Sequence, residues 1–153
     1  PMPKKFNFRL EPVLRIRNYK VKEAKNELSI IRHQRSSKER EISREEEYHR
    51  SFIKNNAKTT KAADLQARAA HSSFIRHKIK KLNHEKEQII EIENLRRRRL
   101  NEAMKEEKVL SKLKEKQQVR HKEETDREER NNLDEIAQKH YGNNQFKSDF
   151  KEK

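Results

Sequence analysis

Between Pro12 and Gly142 the sequence contains neither proline nor glycine, the two residues that most often end or bend a helix. The intervening residues are rich in Glu, Lys, Arg, Gln, Leu and Ala, all of which favour helices. Only 29% of the 153 residues are hydrophobic and 43% are charged, whereas a compact domain draws on about 45–50% apolar residues. We therefore expect long helices with a narrow apolar stripe rather than a compact core.

In the first third of the chain, apolar residues recur in two interleaved seven-residue series. The first series is Leu14, Val21, Leu28, Arg35, Ile42 and His49, and the second is Leu10, Arg17, Ala24, Ile31, Lys38, Glu45 and Phe52. The average spacing of about 3.5 residues is typical of a coiled coil. The first half of the pattern is apolar, and charged residues dilute the second half. Pro12 suits the first turn of a helix that begins near Glu11.

A second heptad pattern follows after residue 73. It consists of Ile75, Leu82, Ile89, Arg96, Ala103, Leu110 and Gln117, with Ile79, Ile92, Leu100 and Leu113 beside it. Apolar residues then become rare until a small cluster formed by Leu133, Ile136, Ala137 and Tyr141. Gly142 is predicted to end this helix, and the polar tail to Lys153 is expected to be loose.

Residues 55–73, between the two patterns, are mostly small or polar. Asn55 and Asn56 can end a helix, and Thr60 with Asp64 can begin one. The predicted organisation is an N-terminal tail (1–10), helix 1 (11–56), a turn with a possible short helix (57–72), helix 2 (73–141) and a flexible C-terminal tail (142–153).

A single continuous helix in a parallel dimer stays an alternative, because no glycine or proline enforces the break. The lengths favour a hairpin. If the chain folds back near residues 58–65, the residue numbers of each facing pair add to about 116–130. The N-terminal end of helix 1 then lies close to the point where the apolar stripe of helix 2 ends. We predict an all-α fold: an elongated, antiparallel two-helix coiled-coil hairpin in which the second helix overhangs the first.

A net charge of +14 and four consecutive arginines, Arg96 to Arg99, raise the question of nucleic-acid binding. Successive residues on a helix are about 100° apart, so the four side chains surround the helix, and neighbouring glutamates lie at ion-pairing spacings. A basic coiled coil that binds nucleic acid is the alternative function. The first 32 residues, with nine Lys or Arg against three Glu, are the better candidate for contact with an acidic partner or a membrane surface.

Several kinds of site find no support in the sequence. The chain has no cysteine, its seven histidines form no i,i+4 pair, and it has no HExxH motif, so we expect no metal site. Without a Gly-rich phosphate loop, a thiol or a concave core, no enzyme activity, cofactor or small-molecule ligand is expected. No apolar run approaches the length of a bilayer span, and none near the N-terminus resembles a secretory signal. The hairpin pairing predicts instead that Tyr48, Phe52 and Phe74 cluster near the turn as a site, and the alternative is that Phe52 and Phe74 simply pack in the helix interface there.

Three segments together resemble the FliJ family: "FNFRLEPVLRIRNYKVKEAKNEL" (6–28), "RLNEAMKEEKVLSKLKEKQ" (99–117) and "LDEIAQKHY" (133–141). This family is the coiled-coil stalk and chaperone-escort protein of the bacterial flagellar type III export apparatus. The resemblance covers nearly the whole chain in the right order. A glycine is frequent near the turn in the family, and none is present here.

The resemblance implies a hairpin similar to the gamma subunit of rotary ATP synthases, in the bacterial cytoplasm at the membrane-bound flagellar base. Its expected partners are the hexameric export ATPase, the cytoplasmic domain of the export gate and the export chaperones. The implied role is in flagellar assembly and motility, and no nucleic-acid partner is expected. The implied gate-facing residues are Tyr48, Phe74, Lys78, Lys81 and Glu85. The implied ATPase-facing residues are Arg9, Arg15, Arg17, Leu133, Ile136 and Tyr141.

Overall fold

The computed structural model describes residues 5–58 and 60–149, with side chains up to Tyr141. It contains helix α1 (Glu11–Asn55) and helix α2 (Ala62–Asp149), and the described residues form no strand. The two helices pack against each other in antiparallel directions, which confirms the predicted all-α helical hairpin. Residues 1–4 and 150–153 of the predicted tails lie outside the described residues.

The helix ends show why the chain turns where it does. At the start of α1, the Glu11 amide donates to Phe8 O at 3.0 Å, and Pro12 occupies the first turn. At its end, the Asn56 side-chain amide donates to Phe52 O at 2.9 Å, and the Asn56 backbone amide donates to the same carbonyl at 3.2 Å.

The bounds of α2 differ from the predicted range 73–141 at each end. The helix begins at Ala62, because the alanine-rich stretch up to Ala70 has a high helix propensity despite its lack of large apolar residues. It continues through Gly142 to Asp149. A single glycine costs a helix only about 1 kcal/mol relative to alanine, so Gly142 alone does not terminate it.

The chain divides into two compact units, which we call the terminal unit and the central unit. The terminal unit consists of Pro1–Ile16 and Glu107–Lys153, and the central unit of Arg17–Glu106. Each unit contains part of α1 and part of α2. Each is described separately below.

The core of the central unit is a narrow interface between the two helices. Its buried apolar residues are Leu28, Ile31, Ile42, Ile75 and Leu82. Every central-unit residue in the two predicted series of helix 1 is buried or half-buried, as a coiled coil requires. The residue numbers add to 123 for each of four interhelical ion pairs: Arg17 with Glu106, Glu27 with Arg96, Lys38 with Glu85, and Glu45 with Lys78. This single register lies within the predicted range.

On α2 the four residues predicted beside the main inward-facing series are only partly correct, since Ile79 and Leu100 are half-buried whereas Ile92 and Leu113 are exposed. Ile75, Leu82, Ile89, Arg96 and Ala103 face α1 as expected. Their partner series runs through Ile79, Lys86, Glu93 and Leu100, and Ile92 is exposed. An apolar residue was expected in the interface, but the heptad spacing places Glu93 there instead.

In the terminal unit, α1 and the residues before it pack on α2. Phe8 and Leu14 are buried, the Phe6 and His121 rings are 5.6 Å apart, and Lys114 Nζ lies 2.7 Å from Glu11 Oε2. From Lys122 to Tyr141 every side chain except Thr125 is exposed. In this unit α2 therefore extends beyond the residues that pack against it.

Candidate protein-interaction surfaces

Three of the five gate-facing candidates line one shallow groove near the turn. The groove has a volume of ≈ 400 Å³ and is bounded by Arg44, Glu45, Tyr48, His71, Phe74, Ile75 and Lys78. The helical repeat explains the contrast between two neighbours here, because Phe74 is 66% exposed whereas Ile75, turned towards α1, is 2% exposed. The groove thus combines an exposed aromatic ring with charged residues of both helices.

An aromatic cluster forms beside this groove, but its members differ from those predicted. The ring centroids of Phe52 and His71 are 4.6 Å apart, and those of Tyr48 and Phe52 are 6.4 Å apart. Tyr48 Oη also lies 3.2 Å from His71 Nε2. The register places His71 rather than Phe74 opposite these rings, so Phe74 remains outside the cluster.

Charged residues continue the same face along α2. Lys78 Nζ lies 2.5 Å from Glu45 Oε1, and Lys38 Nζ lies 2.9 Å from Glu85 Oε2. The hydrogen bond from Lys38 lowers the pKa of Glu85, and the hydrogen bonds to Glu85 and then Glu41 raise the pKa of Lys38. Lys81, the remaining gate-facing candidate, is exposed. Two of the proposed contact residues are therefore also held by interhelical ion pairs.

The ATPase-facing candidates are distributed over both units. Arg9 and Arg15 are exposed in the terminal unit, whereas Arg17 belongs to the central unit and pairs with Glu106 at 2.5 Å. Leu133, Ile136 and Tyr141 are 65%, 54% and 79% exposed. Leu133 and Ile136 are three residues apart and Tyr141 lies eight residues after Leu133, so the three side chains fall within about 140° on one side of α2. They form an apolar patch with no packing partner among the described residues, which we call the α2 patch.

The most buried residue in the described part of the chain is one that the sequence analysis did not select. Glu93 is 1% exposed and contacts three arginines of the two helices. Its Oε2 accepts a hydrogen bond from Arg35 Nη1 at 2.7 Å, and its Oε1 accepts from Arg97 Nη2 at 3.2 Å and Arg32 Nε at 3.4 Å. The seven-residue spacing from Lys86 to Glu93 to Leu100 was the signal that could have found it.

The four consecutive arginines do not form a continuous patch. Arg96 pairs with Glu27 across the interface, and Arg97 pairs with Glu93. Arg98 and Arg99 are exposed at different angles around the helix. Half of the run is thus engaged in intramolecular ion pairs, which argues against a nucleic-acid site built on it.

Two further properties of the described residues bear on partners. No group of three or more His, Cys, Asp or Glu is positioned there to bind a metal ion. Over the same residues, neither helix contains a stretch apolar enough to serve as a membrane span.

Comparison with known proteins gives one assignment. Residues 6–146 match the model of the family described as "Flagellar FliJ protein". No curated protein matches the chain, and no solved structure does. The family has a non-enzymatic role in flagellar protein export. Because the match covers almost the entire sequence, the chain belongs to the FliJ family of flagellar proteins.

Proposed function

We propose that this protein is the central-stalk coiled coil of the flagellar type III export apparatus. In this role it docks into the export ATPase ring, links the ring to the export gate and helps to recycle export chaperones. It would act in the bacterial cytoplasm, at the inner face of the membrane where the flagellum is anchored. The observation that supports the proposal most strongly is the family match over residues 6–146. The helical hairpin with exposed interaction surfaces is consistent with a protein that works by binding.

The α2 patch is the proposed ATPase-binding surface. Leu133, Ile136 and Tyr141 are exposed in a part of α2 that packs against none of the other described residues. An apolar stripe at helical spacing is the arrangement that packs against another helix or into a helical groove. The exposed Arg9 and Arg15 of the same unit would steer an acidic partner without contributing a large apolar area.

The groove around Phe74 is the proposed gate-binding surface. Exposed aromatic residues often provide a large share of the binding energy at protein interfaces. Phe74 presents such a ring, and Tyr48 and Lys78 line the same groove. Lys81 and Glu85 extend this surface along α2 and would determine the orientation of the partner through charge.

The proposal is tested by co-elution of the purified chain with the flagellar export ATPase of the same organism. The wild type is expected to co-elute, and the double variant Leu133→Asp, Ile136→Asp is expected to elute separately. A matched control is Val109→Asp, Val119→Asp, which places two carboxylates at exposed valines of α2 in the same unit. If the wild type does not bind, the stalk role loses its support. If both double variants lose binding equally, the α2 patch is not the specific site.

A further inference from the structure

The two faces of the central unit differ in charge. On each helix, two further series of residues flank the inward-facing positions, one on each side of the interface. The residues of the first series come directly before an inward-facing residue in the sequence, and those of the second series come directly after one. The first series of both helices meet where Tyr48 contacts His71, and the second series meet where Arg32 and Arg97 contact Glu93. We call the side of the first series the paired face and the side of the second series the arginine face. Each face also includes the solvent-exposed positions next to its series on the helix surface.

The paired face is close to neutral. Its charged residues are Lys20, Arg44, Lys78, Lys81 and Arg99 against Glu23, Glu27, Glu41, Glu85, Glu102 and Glu106. Four interhelical ion pairs involve this side, including Lys78 with Glu45 and Lys38 with Glu85. Glu27, Glu85, Glu106 and Lys78 of this face are therefore paired across the helix interface.

The arginine face has a surplus of cations. Its charged residues are Lys22, Lys25, Arg32, Arg50, Arg76, Lys80 and Arg97 against Glu39, Glu46 and Glu87. All ten are exposed. This face therefore presents seven positive charges and three negative charges along a strip that both helices form.

The surplus is concentrated at Glu93. Three guanidinium groups converge on this one carboxylate, and Arg35 also pairs with Glu39 at 3.6 Å, so the cluster of three arginines and two glutamates retains one excess positive charge. Arg32 and Arg97 donate to the same oxygen, Oε1, and their side chains are still 53% and 51% exposed. Among the described residues, each donates only one of its five N–H groups to a protein acceptor. The remaining donors face solvent and are held near each other by the buried carboxylate.

We infer that the arginine face is a binding surface for an acidic segment of a partner protein, whose carboxylates contact Arg32 and Arg97. Guanidinium groups bind carboxylates through two parallel hydrogen bonds, and Glu93 fixes these two before the partner arrives. An added carboxylate would also reduce the repulsion among three like charges. This surface is distinct from the α2 patch and from the groove around Phe74.

The arrangement fits protein carboxylates better than a nucleic-acid backbone. Glu39, Glu46 and Glu87 interrupt the cationic strip, and they would repel a continuous line of phosphates. Discrete carboxylates of an acidic helix can avoid these positions. Asn94 and Asn101 on the same face offer neutral hydrogen-bonding groups between the cations.

The experiment measures binding of the full chain to fluorescein-labelled poly-glutamate by fluorescence anisotropy at low salt. The variant Arg32→Gln, Arg97→Gln removes two charges from the arginine face, and the control Arg44→Gln, Arg99→Gln removes two from the paired face. We expect the affinity to fall at least about tenfold in the first and less than about threefold in the second. Equal losses would show that only net charge matters and would overturn the inference.

Two additional measurements separate the site from its alternatives. The variant Arg32→Lys, Arg97→Lys keeps both positive charges but cannot form paired guanidinium bonds, so weaker binding than wild type is expected. Unchanged binding would contradict the role of guanidinium geometry. Labelled oligothymidylate should bind more weakly than poly-glutamate; tighter binding that the Arg32→Gln, Arg97→Gln change abolishes would identify a nucleic-acid surface instead. Circular dichroism verifies that each variant retains the helix content of the wild type.

Discussion

Arg35 Nη1 lies 2.7 Å from Glu93 Oε2 at the centre of the helix interface, where a coiled coil ordinarily places apolar side chains. Two charged residues thus occupy facing positions of the interface. Burial of a charge is unfavourable unless partners compensate it, and here Arg32 and Arg97 add to the compensation. The stability of the central unit therefore depends on the charge of these residues, which would not be so if only apolar side chains packed at this point.

We predict that Glu93→Gln destabilises the central unit by about 2 kcal/mol, because it removes the charge that holds three arginines together. The free energy of unfolding is measured by urea denaturation with circular dichroism. Glu91→Gln, which changes an exposed glutamate two residues away, is the control and should have almost no effect. Equal stability of the two variants would show that the Glu93 cluster does not stabilise the fold.

Phe74→Ala is expected to weaken binding to the cytoplasmic domain of the export gate by about tenfold and to leave ATPase binding intact. The change should not alter the thermal unfolding temperature, because Phe74 is mostly exposed. Its buried neighbour Ile75 provides the comparison: Ile75→Ala should destabilise the fold by about 2–4 kcal/mol. Loss of both binding activities in Phe74→Ala would mark this ring as structural.

The Lys38–Glu85 ion pair predicts a defined pH dependence. The pKa of Glu85 is lowered from its ordinary value of 4.5, so its contribution to stability is present above that pH and is lost as the pH falls through the folded-state pKa. The pKa of Lys38 is raised from 10.5, so its contribution is present below that pH and is lost as the pH rises through the folded-state pKa. Glu85→Gln should therefore lower the unfolding temperature at neutral pH and have little effect in strong acid.

Scanning calorimetry from neutral pH to strong acid measures the difference in unfolding temperature between Glu85→Gln and the wild type. Glu87→Gln is the control, since Glu87 is exposed on the other face and makes no interhelical ion pair among the described residues. A difference that is the same at all pH values would rule out the ion pair as its cause. Because both side chains are partly exposed, at 23% for Lys38 and 36% for Glu85, the effect should also decrease as salt is added.

The sequence predicted most of the architecture because heptad spacing survives substitution by charged residues. Arg35 and Lys38 occupy interface positions that Ile31 and Ile42 already defined. On α2 the same logic failed at Ile92, where preference for an apolar residue outweighed the spacing that points to Glu93. Local composition also misplaced the start of α2, since small residues near Ala62 suggested a turn although alanine favours a helix.

The interaction surfaces were less predictable than the fold. The exposure of Phe74 depends on a register that a shift of one residue would reverse, and the pairing of Tyr48 with His71 depends on the same register. The arginine face could not be recognised from composition, because the paired face contains almost as many cations. The difference lies in the acidic residues, since the paired face has six glutamates and the arginine face has three.

Four ion pairs of the central unit have residue numbers that add to 123, and this shared register has a consequence for how such hairpins can change in length during evolution. Inserting seven residues into α1 alone would shift the α1 member of every ion pair beyond the insertion by about two helical turns away from its partner on α2. A matched insertion of seven residues at the facing position of α2 would restore all of them. Homologues of different length should therefore differ by paired heptads, one in each helix. A single unpaired heptad should be found only where it lengthens α2 beyond the N-terminal end of α1.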